Sequence, residues 1–282
     1  MTLLLPEHLV DTKWLEENLD NPDIRIIDCH YDLEKGEKGV SLISGRRAWE
    51  QSHIPNSIYL DLLKELSDAN TDLPFMMPPS SHFAEVMSEK GIGDGFKVVL
   101  YDGEKGAWAS RLWLMLRENG FIDVAVLNGG WKKWTHENRP RSSAYSPFPG
   151  TRFTPRSHKP SFFTNKEEVL GSIQKSGVTI LGALENWEFC RGHIPSSLNI
   201  PLSTLINPHD NTFLPLDDLH RIFRSTGAKK KDRIITYCGG GIASSCTAFV
   251  LILLGYENVA VYDGSMEEWS RGPHLPVERV GD

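Results

Sequence analysis

Residues 233–254 read RIITYCGGGIASSCTAFVLILL. Ile234, Ile235 and Tyr237 are β-branched or aromatic, which predicts a short buried strand that ends at Cys238. Gly239, Gly240 and Gly241 carry no Cβ, so they reach positive φ and let the chain curl tightly. Ser244 and Ser245 are suited to cap a helix. From Thr247 onward apolar residues fill nearly every face, which predicts a largely buried helix. A tight loop that feeds a helix N-terminus aims several N–H donors at one spot, and the helix dipole adds positive potential there. Cys238 is therefore read as a nucleophile at the base of a cradle of backbone N–H groups, where a thiol is expected to react as thiolate. A cysteine that merely packs needs no such loop.

Working outward, the order of elements around this stretch occurs twice. The first half predicts a helix over 14–19, a strand over 24–27 ended by Asp28, a turn at His53-Ile54-Pro55-Asn56 and a strand over 57–60. A proline-rich loop over 73–81 follows, then a helix over 82–90 closed by Gly91, a strand over 98–101 and a helix over 108–118 closed by Gly120. A strand over 124–127 and a helix opened by Gly129-Gly130-Trp131 complete it. Pro140, Pro147, Pro149, Pro155 and Pro160 then mark an extended linker. The second half predicts helices over 166–174 and 216–226, strands over 178–181, 233–237 and 259–262, a turn at His193-Ile194-Pro195, and a close at Glu267-Glu268-Trp269.

The anchors can be measured. His53 and His193 are 140 residues apart, Asp102 and Cys238 are 136 apart, and Trp134 and Trp269 are 135 apart. Local sequence matches at two of them: VVLYD against IITYC, and GFIDVAVLNGGWKKW against GYENVAVYDGSMEEW. A period this long means two copies of a domain rather than a solenoid. The expected division is a domain over 1–140, a linker over 141–160 and a domain over 161–282. Alternating strands and helices predict an α/β class, each copy a parallel sheet flanked by helices on both faces. Ligands of such sheets bind beyond the carboxyl ends of strands, where Cys238 falls. In the first copy Asp102 takes its place, followed by GEKGAWASR with the charged Glu104.

Composition bounds the partners. The chain has 282 residues, 40% hydrophobic and 24% charged, with a net charge of −7, which is ordinary for a globular protein and unsuited to nucleic acid. Met1 to Leu5 is too short for a secretory leader, and no apolar run approaches membrane-spanning length. The expectation is a cytoplasmic protein with no membrane partner. Cys29, Cys190, Cys238 and Cys246 form no Cys-x-x-Cys pair and have no His at zinc spacing, so neither a metal site nor a disulfide framework is indicated. Cys246 is expected to face the core, and His53 and His193 to organise their turns by hydrogen bonding.

These residues resemble a known family. Gly192-His193-Ile194-Pro195 with Ser52-His53-Ile54-Pro55, a Cys at a strand end in the second copy alone, and the closing Val-Tyr-Asp-Gly-Ser-Met-Glu-Glu-Trp are similar to the tandem rhodanese sulfurtransferases. The resemblance covers nearly the whole chain. It implies two rhodanese-like domains, a catalytic Cys238 and a persulfide intermediate. Gly239, Gly240, Gly241, Ile242, Ala243 and Ser244 would form the persulfide-binding loop. The implied donors are thiosulfate or 3-mercaptopyruvate, the acceptors cyanide, a thiol or another protein. No cofactor is implied, and the first copy is expected to be silent, because a carboxylate at 102 cannot carry sulfane sulfur.

The chain departs from the family pattern in places. Gly239 and Gly240 match neither the basic pair that thiosulfate relatives tend to carry nor the Gly-Ser/Thr of mercaptopyruvate relatives. Ala243 stands where many relatives place a hydroxyl, with Ser244 as its substitute. Gly182-Ala183-Leu184 replaces the usual Asp-x-Arg, and Glu188 stands where longer relatives put a substrate arginine, leaving Arg191, Arg46 or Arg47 as replacements. A carboxylate donor loses its arginine partner here, which inclines the reading to thiosulfate. One rival is a Cys-dependent phosphatase of the same fold, which needs an Arg where Ser244 stands. Another is a non-enzymatic sulfur carrier or protein-binding module.

Overall fold

A computed structural model describes residues 5–36, 39–103 and 105–280, so Glu104 and the first four residues lie outside the described residues. The chain divides into two compact units: Met1–Ser67, Pro78–Ser157 and Pro208–Phe213 form the first, and Asp68–Met77, His158–Asn207 and Leu214–Asp282 the second.

The first unit runs β1 (Leu9–Val10), α1 (Thr12–Glu17), β2 (Ile24–Asp28), β3 (Tyr31–Gly36), β4 (Gly39–Ser44), α2 (Arg46–Gln51), β5 (Ser57–Tyr59), α3 (Leu62–Glu65), α4 (Ser80–Glu89), β6 (Lys97–Tyr101), α5 (Ala107–Glu118), β7 (Val124–Leu127) and α6 (Gly130–His136). Its sheet is parallel, in the order β1-β7-β6-β2-β5, with β3 and β4 paired antiparallel as a separate hairpin. Every residue of β2, β6 and β7 is buried; β7 reads as a continuous apolar run, while β2 and β6 also bury Arg25, Asp28 and Lys97. Leu15 of α1 and Trp134 of α6 share a core with Ile24, Ile26, Val99, Tyr101, Ala125 and Leu127, while α5 packs on β6 and β7.

The second unit repeats this plan. It runs β8 (Phe163–Thr164), α7 (Lys166–Leu170), β9 (Val178–Gly182), α8 (Asn186–Arg191), β10 (Leu198–Asn199), a 3-10 turn (Leu202–Leu205), α9 (Leu216–Arg224), β11 (Arg233–Tyr237), α10 (Ile242–Leu253), β12 (Val259–Tyr262) and α11 (Ser265–Trp269). The parallel order β10-β9-β11-β12-β8 is that of the first sheet, strand for strand. Trp269 stands in this core as Trp134 does in the other.

The duplication extends to single hydrogen bonds. Tyr101 OH meets Ser57 Oγ at 3.1 Å and accepts from the Ile54 N–H at 3.4 Å; Tyr237 OH meets Ser197 Oγ at 2.7 Å and accepts from the Ile194 N–H at 3.3 Å. His53 exchanges backbone bonds with Ser142, and His193 with Glu278. Trp134 Nε1 donates to the Pro140 carbonyl at 2.7 Å, and Trp269 Nε1 to the Pro276 carbonyl at 2.8 Å. Buried polar groups must find partners, and both copies use the same ones.

Two short segments belong to the unit that their sequence position does not suggest. In the second unit the Met77 N–H donates to Asp263 Oδ2 at 2.7 Å and Arg271 pairs with Asp72 at 2.8 Å. In the first, the Phe213 N–H donates to Asn128 Oδ1 at 2.9 Å and Lys132 Nζ to the Pro208 carbonyl at 2.7 Å. Asn128 and Asp263 each follow the corresponding strand, β7 or β12, so the two captures are equivalent. The proline-rich stretch is also divided. Residues 141–157 belong to the first unit, where Phe153 is buried against Phe83 and Phe121 and the Arg156 N–H donates to the Asn119 carbonyl at 2.8 Å. Among the described residues, no helix is long and apolar enough to cross a membrane.

Candidate active site

β11 lies between β9 and β12 and delivers Cys238 to the carboxyl end of the second sheet. The residue is 4% exposed, while Gly239 beside it is exposed and Gly240 half-buried. The Cys238 N–H donates to Ser265 Oγ at 3.1 Å. Its carbonyl accepts from the Met266 N–H at 3.0 Å, and the Gly239 carbonyl from the Glu267 N–H at 2.8 Å. The main chain of Cys238 is thus tied to the start of α11.

Of the three glycines, Gly241 alone takes left-handed backbone, at φ 82°. It caps α10 directly, so the helix starts at Ile242 and not after the serines. Ser244 and Ser245 are therefore not N-caps; they occupy the first helical turn. Ser245 Oγ donates to the Gly241 carbonyl at 2.6 Å, and Ser244 Oγ donates to Cys238 Sγ at 3.4 Å. Gly239 and Gly240 have ordinary φ values, and a Cβ on either would meet nothing within 4 Å. Their lack of a side chain leaves an open rim rather than relieving a clash. Ile242 and Ala243 are half-buried and Ser244 fully buried. Among the described residues, the hydrogen bond that reaches Sγ is the Ser244 hydroxyl's; the loop amides make none to it. A thiol sulfur is a weak acceptor, and the hydroxyl suffices for it.

The first unit shows the same loop with a carboxyl group in it. Asp102 is buried, and its carboxylate accepts from the Gly106 N–H at 3.1 Å and the Ala109 N–H at 2.9 Å. Gly106 is left-handed, at φ 71°, and caps α5 as Gly241 caps α10. Counting from those glycines, Ala109 is the counterpart of Ser244. The Trp131 N–H binds the Asp102 carbonyl at 2.9 Å, as Met266 binds that of Cys238. This loop is one residue longer between its anchor and its left-handed glycine.

Gly182 opens the run that stands in place of the usual Asp-x-Arg. A Cβ at Gly182 would lie 2.8 Å from Asn199 Oδ1 and 3.2 Å from Tyr237 OH. The Asn199 amide instead accepts from the Leu184 N–H at 3.2 Å and donates to its carbonyl at 2.9 Å. Asp28 holds the position of Gly182 in the first unit, since each faces the tyrosine at the end of the next strand. Burial raises the Asp28 carboxyl to about 7, against the attraction of His30 and the bonds from His30 N–H and Tyr101 OH. The replacement arginines have other partners: Arg191 lies over the Trp187 ring at 5.8 Å, and Arg46 over Tyr59 at 5.0 Å with Glu65 at 3.7 Å, while Arg47 is exposed.

His193 Nδ1 is 2.8 Å from the Phe189 carbonyl and His53 Nδ1 is 2.6 Å from that of Trp49, so both rings organise their turns. Burial raises Tyr237 to about 12, which keeps it a neutral hydroxyl partner for Ser197. Cys246 and Cys29 are buried and Cys190 is exposed, and none of the four cysteines is in a disulfide. Among the described residues, no group of three His, Cys, Asp or Glu side chains could share a metal ion. Ser265 escaped the sequence reading; its signal was the Ser of VYDGSMEEW opposite the Gly of VLNGGWKKW.

Comparison with known proteins accords with this geometry. The rhodanese-like domain model matches residues 11–137 and 165–272. The 3-mercaptopyruvate sulfurtransferase of Escherichia coli (strain K12) is 29% identical, over 96% of this chain and 98% of the relative. The sulfur carrier protein TtuD of Thermus thermophilus is also 29% identical, over 97% of each chain. Among solved structures, SseA of Escherichia coli, described as a 3-mercaptopyruvate sulfotransferase, superposes with a TM-score of 0.82 at 28% identity, over 92% of this chain and 98% of that one. Two matched domains spanning most of the chain, and a superposition that takes in both sheets, place it in the rhodanese-like family as a tandem of two rhodanese-like domains.

Proposed function

We propose that the chain is a sulfurtransferase that carries sulfane sulfur on Cys238. The observation that supports this best is the pairing of the two loops: the position of Cys238 in one unit is filled in the other by a carboxylate held by two main-chain N–H groups. A loop built this way favours an anion at that point. In the first step the Cys238 thiolate attacks the outer sulfur of thiosulfate. The new bond is Sγ–S; the S–S bond to the sulfonate breaks, and sulfite leaves with the electron pair. With 3-mercaptopyruvate the C–S bond breaks instead, and pyruvate enolate leaves and takes up a proton. An acceptor thiolate or cyanide then attacks the outer sulfur and restores the Cys238 thiolate. No oxidant enters, and two covalent half-reactions imply ping-pong kinetics.

The outer sulfur of the persulfide stands one bond beyond Sγ, toward the loop from Gly239 to Ser244, where the main-chain N–H groups and the Ser244 hydroxyl serve as its donors. The neutral rim of Gly239 and Gly240 and the Gly182-Ala183-Leu184 run in place of Asp-x-Arg offer no arginine for a carboxylate, which favours thiosulfate over 3-mercaptopyruvate. Asp102 cannot carry sulfane sulfur, so the first unit is silent. The test is kcat/KM with each donor in the wild type and in Cys238→Ala. Retained activity in that variant removes the reading.

A second reading is a sulfur carrier that passes its persulfide to a protein acceptor. It is favoured by the likeness to the Thermus carrier protein and by the uncharged rim. It expects mass spectrometry to find one added sulfur on Cys238 after thiosulfate, with negligible steady-state turnover on small acceptors.

A further inference from the structure

Ser265 opens α11, and three successive residues of that helix start hold the nucleophile's main chain. Ser265 Oγ accepts from the Cys238 N–H, Met266 N–H binds the Cys238 carbonyl, and Glu267 N–H binds the Gly239 carbonyl. In a trans peptide C=O and N–H point in opposite directions. Drawing the carbonyls of Cys238 and Gly239 onto α11 therefore turns the N–H groups of Gly239 and Gly240 away from it. The Ser265 hydroxyl completes the set. It gives its own proton to the Tyr262 carbonyl at 2.9 Å, so its lone pairs are left facing the Cys238 N–H.

The backbone at this residue is unfavourable. Ser265 is fully buried and sits at φ 47°, in the left-handed region that residues with a Cβ avoid. Its counterpart 135 residues earlier is Gly130, at φ 50°, where a Cβ would lie 2.3 Å from the Asp102 carbonyl oxygen. The copy without a cysteine thus meets this conformation with a glycine. The copy with the cysteine meets it with a strained serine whose hydroxyl is spent on the nucleophile's own N–H.

We propose that Ser265 is a positioning residue for Cys238: its hydroxyl fixes the Tyr237–Cys238 peptide and with it the direction in which Sγ faces. This rests on the reading of Cys238 as the sulfur-carrying nucleophile. The test uses Ser265→Gly and Ser265→Ala in the full chain, with Cys238→Ala as control. Single-turnover formation of the Cys238 persulfide is followed by mass spectrometry, with whichever of thiosulfate and 3-mercaptopyruvate the wild type takes faster. Thermal melting is recorded alongside.

Ser265→Gly is expected to melt close to the wild-type temperature, because glycine's freedom at this φ offsets the lost acceptor of the Cys238 N–H. Its maximal rate is expected to fall by about 10- to 100-fold, as for a small misplacement of a reacting group. Its half-saturating donor concentration should stay within about twofold of wild type, since donor binding is untouched. Ser265→Ala should lose as much rate and also melt lower, because it keeps the strained φ and lacks the hydroxyl. A wild-type rate in Ser265→Gly overturns the proposal. So does a rate loss in that variant that comes with a lowered melting temperature or a shifted half-saturation, since Ser265 would then be a packing residue alone. A persulfide that still forms in Cys238→Ala removes the nucleophile reading itself, whatever Ser265 does.

Discussion

The Asp102 carboxylate accepts a hydrogen bond from the Ala109 N–H at 2.9 Å. Ala109 is the third residue after a left-handed glycine, as Ser244 is in the other unit. The first unit thereby keeps carboxyl oxygens on the main-chain donors of a loop whose twin carries a thiol.

Asp102→Ala is expected to leave the buried Ala109 N–H and the half-buried Gly106 N–H without their acceptor and to destabilise the first unit by about 1–2 kcal/mol. Urea denaturation measures this. Sulfur transfer by the second unit should be unchanged at temperatures where the variant is folded.

The three glycines after Cys238 should separate cleanly. Gly241→Ala forces a Cβ into left-handed backbone and is expected to cost about 1–2 kcal/mol. Gly239→Ala meets open space and should leave stability within about 0.5 kcal/mol of wild type. Chemical denaturation of the two variants side by side gives the answer.

Ser244→Ala removes the hydroxyl from Cys238 Sγ. One lost hydrogen bond of about 1–1.5 kcal/mol predicts a roughly 5- to 10-fold fall in the rate of persulfide formation. The half-saturating donor concentration should hold.

Gly240→Lys places a cation on the open rim. A dianionic donor is expected to gain several-fold in kcat/KM at low ionic strength. The gain should fade with added salt, because the pair is solvent-exposed. A gain that survives high salt would point to a cause other than charge.

The pH dependence of the first unit follows from Asp28 and His30. Burial raises Asp28 to about 7, so the fold favours its protonated form, and stability declines as pH rises from the ordinary carboxylate range toward 7. His30 moves upward too: burial opposes the charge, but Asp28, Asp32 and Asp102 outweigh it. Its contribution is present at low pH and lost as pH rises through its raised value, which has the same sign. Melting temperatures between pH 5 and 8 should fall in the wild type and flatten in Asp28→Asn.

The central strands were readable because burial on both faces favours apolar residues, as in the 124–127 run that folds as β7 and the Ile234-Ile235 and Tyr237 positions of the run that folds as β11. The edge strands β1, β8 and β10 have two residues each, too few for any period to register. The helix α8 buries none of its residues, so it has no apolar stripe to find. The β3–β4 hairpin carries Asp32 and Glu34 among its apolar residues and exposes Leu33, Leu42 and Ile43, and so resembles loop. The strand–glycine–helix setting of Cys238 was legible as local sequence. Ser265 was not, because its effect depends on a backbone angle and on a partner 27 residues away.

The capture of 208–213 by the first unit sets an order of events during synthesis. The ribosome must release Phe213 before Asn128 can receive its N–H, by which time β8, β9 and β10 have already emerged. Maturation of the amino-terminal half is therefore coupled to translation of the carboxy-terminal half. A gene cut at the prolines would yield two fragments, each lacking a piece that only the other encodes.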